Sequence, residues 1–83
     1  MTVTVHVPPL LRKWFKDQAE IQVRGSTIGE CIQNMIDEYP GSEIRLKTIV
    51  ICLNGEIVQT IHYGSRVIKE GDEINIVFLV SGG

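Results

Sequence analysis

The sequence predicts an α+β domain in which one main helix packs on a mixed sheet of four to five strands. Residues 2–7 and 73–80 alternate polar and apolar side chains, which is the period-two pattern of half-buried strands. Between them, apolar residues recur at helical spacing over one segment that begins near Thr27. A chain of 83 residues has room for one core, which these three segments would share.

A hairpin is predicted before the helix. A proline pair ends the first strand, because proline lacks the N–H group that a sheet ladder needs, and residues 10–15 can form a turn of helix over the core edge. Residues 19–24 alternate again and predict the second strand of the hairpin. Its core-facing side chains would be Ala19, Ile21 and Val23.

The main helix is predicted to begin at a capping box formed by Thr27 and Glu30, whose side chains can accept hydrogen bonds from free N–H groups of the first turn. A proline–glycine pair ends the helix, and residues 42–46 can add a short second one. The stripe that would face the sheet consists of Ile28, Cys31, Ile32, Met35, Ile36 and Tyr39.

A second hairpin and a last strand are predicted after the helix. Residues 48–53 are rich in β-branched and apolar side chains, and Asn54-Gly55 is a strong signal for a type I′ turn that leads into residues 56–59. A tight turn then precedes the last strand, which should pair with the first strand in the middle of the sheet. This order of elements is the β-grasp, or ubiquitin-like, pattern.

Composition argues against several classes of function. A formal net charge of −2 gives no basic face for nucleic acid, and no apolar run could span a bilayer. The N-terminus lacks the core of a signal peptide, so a cytoplasmic location is expected. Cys31 and Cys52 are too few for a disulfide framework or a zinc site of their own. No constellation of acid, base and nucleophile is visible, so we expect neither catalysis nor a bound metal or cofactor.

The chain ends in Ser81-Gly82-Gly83, predicted as a flexible tail (residues 81–83) behind a domain of residues 1–80. Two glycines leave a thin, conformationally free backbone with a carboxylate at its tip. The functional interpretation is that the Gly83 carboxylate is the reactive group, delivered into the active site of another protein. The alternative is a frayed, glycine-rich end without a role.

Several short motifs occur in a characteristic order along the whole chain: PLLR at 9–12, GSTIGE at 25–30, LNGE at 53–56, GDEI at 71–74 and the terminal Gly-Gly. In these motifs the chain resembles the bacterial ubiquitin-like sulfur carriers, the family of the molybdopterin synthase small subunit and the thiamine-pathway carrier. Each motif is weak alone, but their order and spacing are specific.

The resemblance implies a definite chemistry for Gly83. An E1-like activating enzyme would use ATP to adenylate its carboxylate, and sulfur would then displace AMP to leave a thiocarboxylate. The acceptor would be a cysteine-synthase-like enzyme, the large subunit of molybdopterin synthase or a thiazole synthase. The PLLR opening and the Tyr-Pro-Gly helix exit favour the cysteine type, since the molybdopterin branch often has Pro-Pro where this chain has Phe78-Leu79. Molybdopterin, tungstopterin and thiamine routes stay open.

Two other functions fit the same sequence. The chain could be a ubiquitin-like modifier that ends as an amide on lysine through Gly83, or a β-grasp interaction domain with an inert tail. For the sulfur carrier, the helix-free face of the sheet is the predicted docking surface, because Val77 and Leu79 would lie there beside His6 and Val50. The alternatives are scattered surface apolar residues, or a register shifted by one residue, which would invert the faces.

Overall fold

The computed structural model describes residues 2–46 and 49–78, and these form one mixed sheet covered on one face by a helix. Within this part of the chain the sheet has five strands in the order β2-β1-β5-β3-β4. Among the described residues, 3-10 helices connect the elements at Pro9–Phe15, Pro40–Ser42 and Thr60–His62. The strands and α-helices are β1 (Thr2–His6), β2 (Glu20–Arg24), α1 (Ile28–Glu38), α2 (Glu43–Leu46), β3 (Ile49–Leu53), β4 (Glu56–Val58) and β5 (Glu73–Phe78).

The last strand lies in the middle of the sheet, as the sequence predicts. β5 runs parallel to β1, with Val5 opposite Ile74, and antiparallel to β3, with Ile51 opposite Ile76. Among the described strands, β5 joins the two hairpins, β1-β2 and β3-β4, into one sheet. Positions 79 and 80 of the predicted last strand lie outside the described residues.

The core lies between α1 and one face of the sheet. Alternate residues of β1 and β3, together with Ile74 and Ile76 of β5, are buried in it, and the 3-10 helix Pro9–Phe15 closes one end with Leu11 and Phe15, both fully buried. Ile32, Ile36 and Tyr39 of the predicted helix stripe are partly buried against this core, and the other three are fully buried. Burial of apolar surface on this scale is the main source of stability for so small a domain.

The predicted start of α1 is confirmed. The Thr27 hydroxyl accepts a hydrogen bond from the Glu30 N–H (3.1 Å), and the Glu30 carboxylate accepts one from the Ser26 N–H (3.0 Å). Gly25 lets β2 pass close to this first turn, because a Cβ at that position would stand 2.5 Å from Cys31 Sγ and 2.9 Å from the Cys31 backbone nitrogen. The junction of β2 and α1 is therefore capped and tightly packed.

The prediction for Ala19 is wrong. Ile21 and Val23 are buried as expected, but Ala19 is exposed, and β2 begins one residue later at Glu20. The Ala19 carbonyl still accepts a hydrogen bond from the Val7 N–H (2.8 Å), so the ladder extends past the assigned strand. Ala19 belongs to the connection that leads from the 3-10 helix into β2. The alternating pattern alone does not show at which residue the buried part of the strand begins.

The second hairpin has the predicted turn. Asn54 and Gly55 both have positive φ angles, 51° and 87°, as a type I′ turn requires. The Asn54 side chain bridges this turn to the next one, since its amide group donates to Asp72 (3.0 Å) and its oxygen accepts from the Glu73 N–H (2.9 Å). This bridge holds the start of β5 beside the end of β3.

Candidate functional site

The helix-free face of the sheet carries an apolar patch made by Val50, Cys52, Ile57 and Val77. The strand registers bring these residues together, because Val50 lies opposite Val77, and Cys52 opposite Ile57. Ile57 is 66% exposed and Val77 is 43% exposed, whereas Val50 and Cys52 are half-buried. Three neighbouring strands therefore present one continuous apolar surface to solvent. Contiguous exposed apolar surface is typical of interaction sites.

The other half of the same face is polar. His6 Nε2 lies 2.6 Å from Glu73 Oε1, and His6 Nδ1 lies 3.9 Å from Glu20 Oε2. Asn75 separates the two halves, since it pairs with His6 on one side and with Cys52 on the other. His6 thus shares the predicted face but contacts carboxylates rather than the apolar patch.

The structure brings Val77 and Val50 together as the sequence predicts, and it adds Ile57, which the sequence reasoning did not single out. The signal for Ile57 was present in the Asn54-Gly55 turn, because a two-residue turn fixes the register of its hairpin and so places Ile57 opposite Cys52. Leu79 and the tail residues Ser81, Gly82 and Gly83 lie outside the described residues. In the sequence, Val77 precedes Gly83 by six positions.

The thiol groups lie in different surroundings. Burial raises the pKa of the Cys31 thiol to about 11, and the nearby charge of Glu30 adds to the shift. Cys31 is therefore a neutral packing residue at ordinary pH, whereas Cys52 is half-buried at the apolar patch. Within residues 2–46 and 49–78, no group of three or more His, Cys, Asp or Glu side chains is arranged to hold a metal ion. No helix in this part of the chain has the length and apolar character needed to cross a membrane.

Comparison with known proteins identifies the family. Residues 5–83 match the sequence model of the ThiS family, which is nearly the whole chain and includes the terminal diglycine. The chain belongs to the ThiS family. The resemblance to the ubiquitin-like sulfur carriers is thereby confirmed.

Individual ThiS-type relatives match over the full length. The sulfur carrier protein CysO of Mycobacterium tuberculosis is 29% identical over 93 aligned residues, with both chains covered completely. In the crystal structure of the Amycolatopsis orientalis BexX/CysO complex, a chain with 27% identity superposes with a TM-score of 0.84, covering 98% of this chain and 99% of that one.

The fold is shared more widely. The solution structure of small archaeal modifier protein 1 from Methanosarcina acetivorans superposes with a TM-score of 0.83 at 23% identity, covering 99% of this chain and 96% of that one. The β-grasp architecture predicted from the sequence is thus confirmed.

Proposed function

We propose that this chain is a cytoplasmic sulfur carrier that works through its Gly83 carboxylate. An E1-like enzyme adenylates the carboxylate with ATP, sulfur replaces AMP, and the resulting thiocarboxylate passes its sulfur to an acceptor enzyme. The observation that supports this most directly is the apolar patch, because its residue Val77 lies on β5 and precedes the terminal glycine by six positions in the sequence. The chain itself performs no catalysis in this scheme and binds no cofactor.

The tail suits a reaction that takes place inside another protein. A carboxylate is anionic and has a poor leaving group, so it needs activation as a mixed anhydride before sulfur can attack. Glycines at positions 82 and 83 carry no side chain to obstruct a narrow channel and allow an extended backbone. Five residues follow Phe78, and such a length reaches at most about 18 Å when fully extended.

Docking by the apolar patch would bring the tail within that reach of a partner's active site. A partner that covers Val77 and Ile57 removes apolar surface from water, which is the general driving force for association. The polar half of the face, with His6 between two carboxylates, would then orient the complex. His6 and Leu79 therefore remain proposed docking residues together with Val77 and Val50.

We propose that the sulfur enters cysteine synthesis. The supporting observations are the full-length similarity to proteins named sulfur carrier protein CysO and the sequence features of the cysteine branch. The proposed acceptor is accordingly a cysteine-synthase-like enzyme. A molybdopterin synthase large subunit or a thiazole synthase would accept sulfur from the same group by the same chemistry.

The test of this proposal is the intact mass of the protein after incubation with ATP, a sulfur donor and the activating enzyme of the same organism. We expect a gain equal to the exchange of one oxygen for sulfur, located at Gly83 by fragmentation. A variant with one residue added after Gly83 is the control and should stay unmodified. A protein linked by an amide bond to lysine would instead identify a modifier, and an unchanged mass with a competent enzyme would indicate an interaction domain.

The docking surface can be tested separately with two matched substitutions. Val77→Asp places a charge in the apolar patch, whereas Val67→Asp makes the same chemical change at a 61% exposed valine beside the start of α1. We expect Val77→Asp to lower the rate of adenylation at least about tenfold, since an unpaired charge in an interface core is costly. Val67→Asp should react at the normal rate, and equal effects of the two substitutions would reject the patch as the docking surface.

A further inference from the structure

β2 forms one edge of the described sheet, on the side away from the apolar patch. Its five residues alternate, with Ile21 and Val23 buried and with Glu20, Gln22 and Arg24 exposed on the helix-free face. An edge strand carries a row of backbone groups that can pair with another strand. β2 is therefore a possible template for strand addition, and its chemistry indicates which strand would fit.

The backbone groups that face outward can be assigned from one hydrogen bond. The Ala19 carbonyl accepts from the Val7 N–H at 2.8 Å, so Ala19 and every second residue after it direct their N–H and C=O groups toward β1. Glu20, Gln22 and Arg24 must then direct theirs away from the sheet. The Arg24 carbonyl confirms this assignment, because it accepts a hydrogen bond from Asn34 Nδ2 (2.6 Å) on the helix beside the edge.

The sequence of β2 is complementary to itself in charge. When two copies run antiparallel with Gln22 opposite Gln22, Glu20 of each copy lies opposite Arg24 of the other. Glu20, Gln22 and Arg24 are also the residues whose backbone groups point outward. The alignment that pairs opposite charges is therefore the same alignment that forms backbone hydrogen bonds between the two copies. We propose that β2 is a docking edge for a second copy of this chain, which pairs with it about a two-fold axis at Gln22.

The contacts of this pairing follow from the geometry. The two Gln22 residues exchange two backbone hydrogen bonds, and each Arg24 N–H donates to the opposite Glu20 carbonyl, which gives about four bonds. The Arg24 carbonyl is not counted, because it already accepts a hydrogen bond from the Asn34 side chain. The Glu20 side chain is 58% exposed and lies on the same face as Arg24, so two ion pairs complete the contact. An interface of this size belongs to the weak, concentration-dependent class.

The pairing leaves the apolar patch free, and on the polar half of the same face it uses Glu20, whose carboxylate also lies 3.9 Å from His6 Nδ1. β2 and the apolar patch lie toward opposite edges of the sheet, because the patch spans β5, β3 and β4. Joining two copies through β2 would produce one continuous sheet with a patch at each end. Each dimer could then present both copies to a partner at once, and the inference does not depend on sulfur transfer being the function.

The experiment uses two charge reversals of the full chain, E20R and R24E, with E70R as a control on an exposed turn residue away from the edge. Sedimentation velocity over a dilution series should show a reversible dimer for the parent protein and for E70R. E20R and R24E should each dimerise at least about tenfold more weakly, because both ion pairs become like-charge pairs. An equimolar mixture of E20R and R24E should regain the dimer, since two Arg–Glu pairs then form across the edge.

Three results would overturn the proposal. The first is a parent protein that stays monomeric into the millimolar range, in which case the charges protect the edge from pairing. The second is a dimer that neither single reversal weakens, or a mixture that does not recover, with circular dichroism showing that both variants are folded. The third is protection of the β2 amides from hydrogen exchange only when a different protein is added, which would make that protein the occupant of the edge.

Discussion

Replacing Gly25 by alanine tests the close approach of β2 to α1. The added Cβ would lie 2.5 Å from Cys31 Sγ and 2.9 Å from the Cys31 nitrogen, and the second of these atoms belongs to the backbone of the first helical turn. A side chain could rotate away, but the backbone nitrogen can move only if the turn moves. Overpacking of this kind typically costs about 1–3 kcal/mol. We therefore expect Gly25→Ala to lower the free energy of unfolding by about 2 kcal/mol.

The assay is thermal and urea unfolding followed by circular dichroism, with a double-mutant cycle to separate the two contacts. For a domain of this size, about 2 kcal/mol corresponds to a drop in Tm of roughly 8–16 °C. Gly64→Ala is the matched control, because Gly64 is exposed and its added Cβ would have no atom within 4 Å. Cys31→Ala removes the sulfur, so the double variant should lose less stability than the sum of the two single ones.

The same cycle defines what would refute the reasoning. If Gly25→Ala caused no loss of stability in a protein that already carries Cys31→Ala, the sulfur alone would limit the space and the backbone contact would be unimportant. A Gly25→Ala protein within about 0.5 kcal/mol of the parent would mean that β2 and α1 separate at little cost. Either result would contradict the tight junction that the structure shows between these elements.

Three further predictions concern the helix cap, an acidic turn and the two thiols. Thr27→Ala should lower the free energy of unfolding by about 1 kcal/mol, measured by thermal unfolding, because it removes the hydroxyl that caps α1. Thr27→Ser keeps a hydroxyl at this position and should be close to the parent in stability. A hydrogen bond from the Lys69 N–H lowers the pKa of Asp72 below its usual value, so this carboxylate stabilises the fold at neutral pH and the benefit is lost on acidification. The stability difference between the parent and Asp72→Asn should therefore shrink as the pH falls below about 4 in urea titrations. In the native protein a thiol reagent should label Cys52 and leave Cys31 unmodified until unfolding, as peptide mapping would show.

Local signals in the sequence were enough to predict most of the fold. The cap at Thr27 and the turn at Asn54-Gly55 each depend on a few neighbouring residues, and both have the predicted geometry. The central position of β5 followed from its apolar alternation, because strands with a buried face at both ends of a chain need a shared core. The opposition of Val77 and Val50 then followed from the faces of these strands.

Contacts between distant segments were harder to predict. His6 lies beside Glu73, which is 67 positions away, and no turn fixes the register of the parallel pair that joins β1 to β5. The sequence therefore indicated the face on which His6 lies, but not its carboxylate neighbours. Ala19 shows the same limit of sequence-based prediction. The alternation of polar and apolar residues includes Ala19, but Ala19 is exposed in the structure.

The parallel pairing of β1 with β5 also has a mechanical consequence. A force applied between the start of β1 and the end of β5 acts along both strands, so it loads their shared hydrogen bonds in shear, all at the same time. Peeling an antiparallel hairpin instead breaks its bonds one after another at lower force. A partner that holds the end of β5 and pulls would thus meet the most resistant part of the sheet first. The domain should therefore resist unfolding when a partner binds the end of β5.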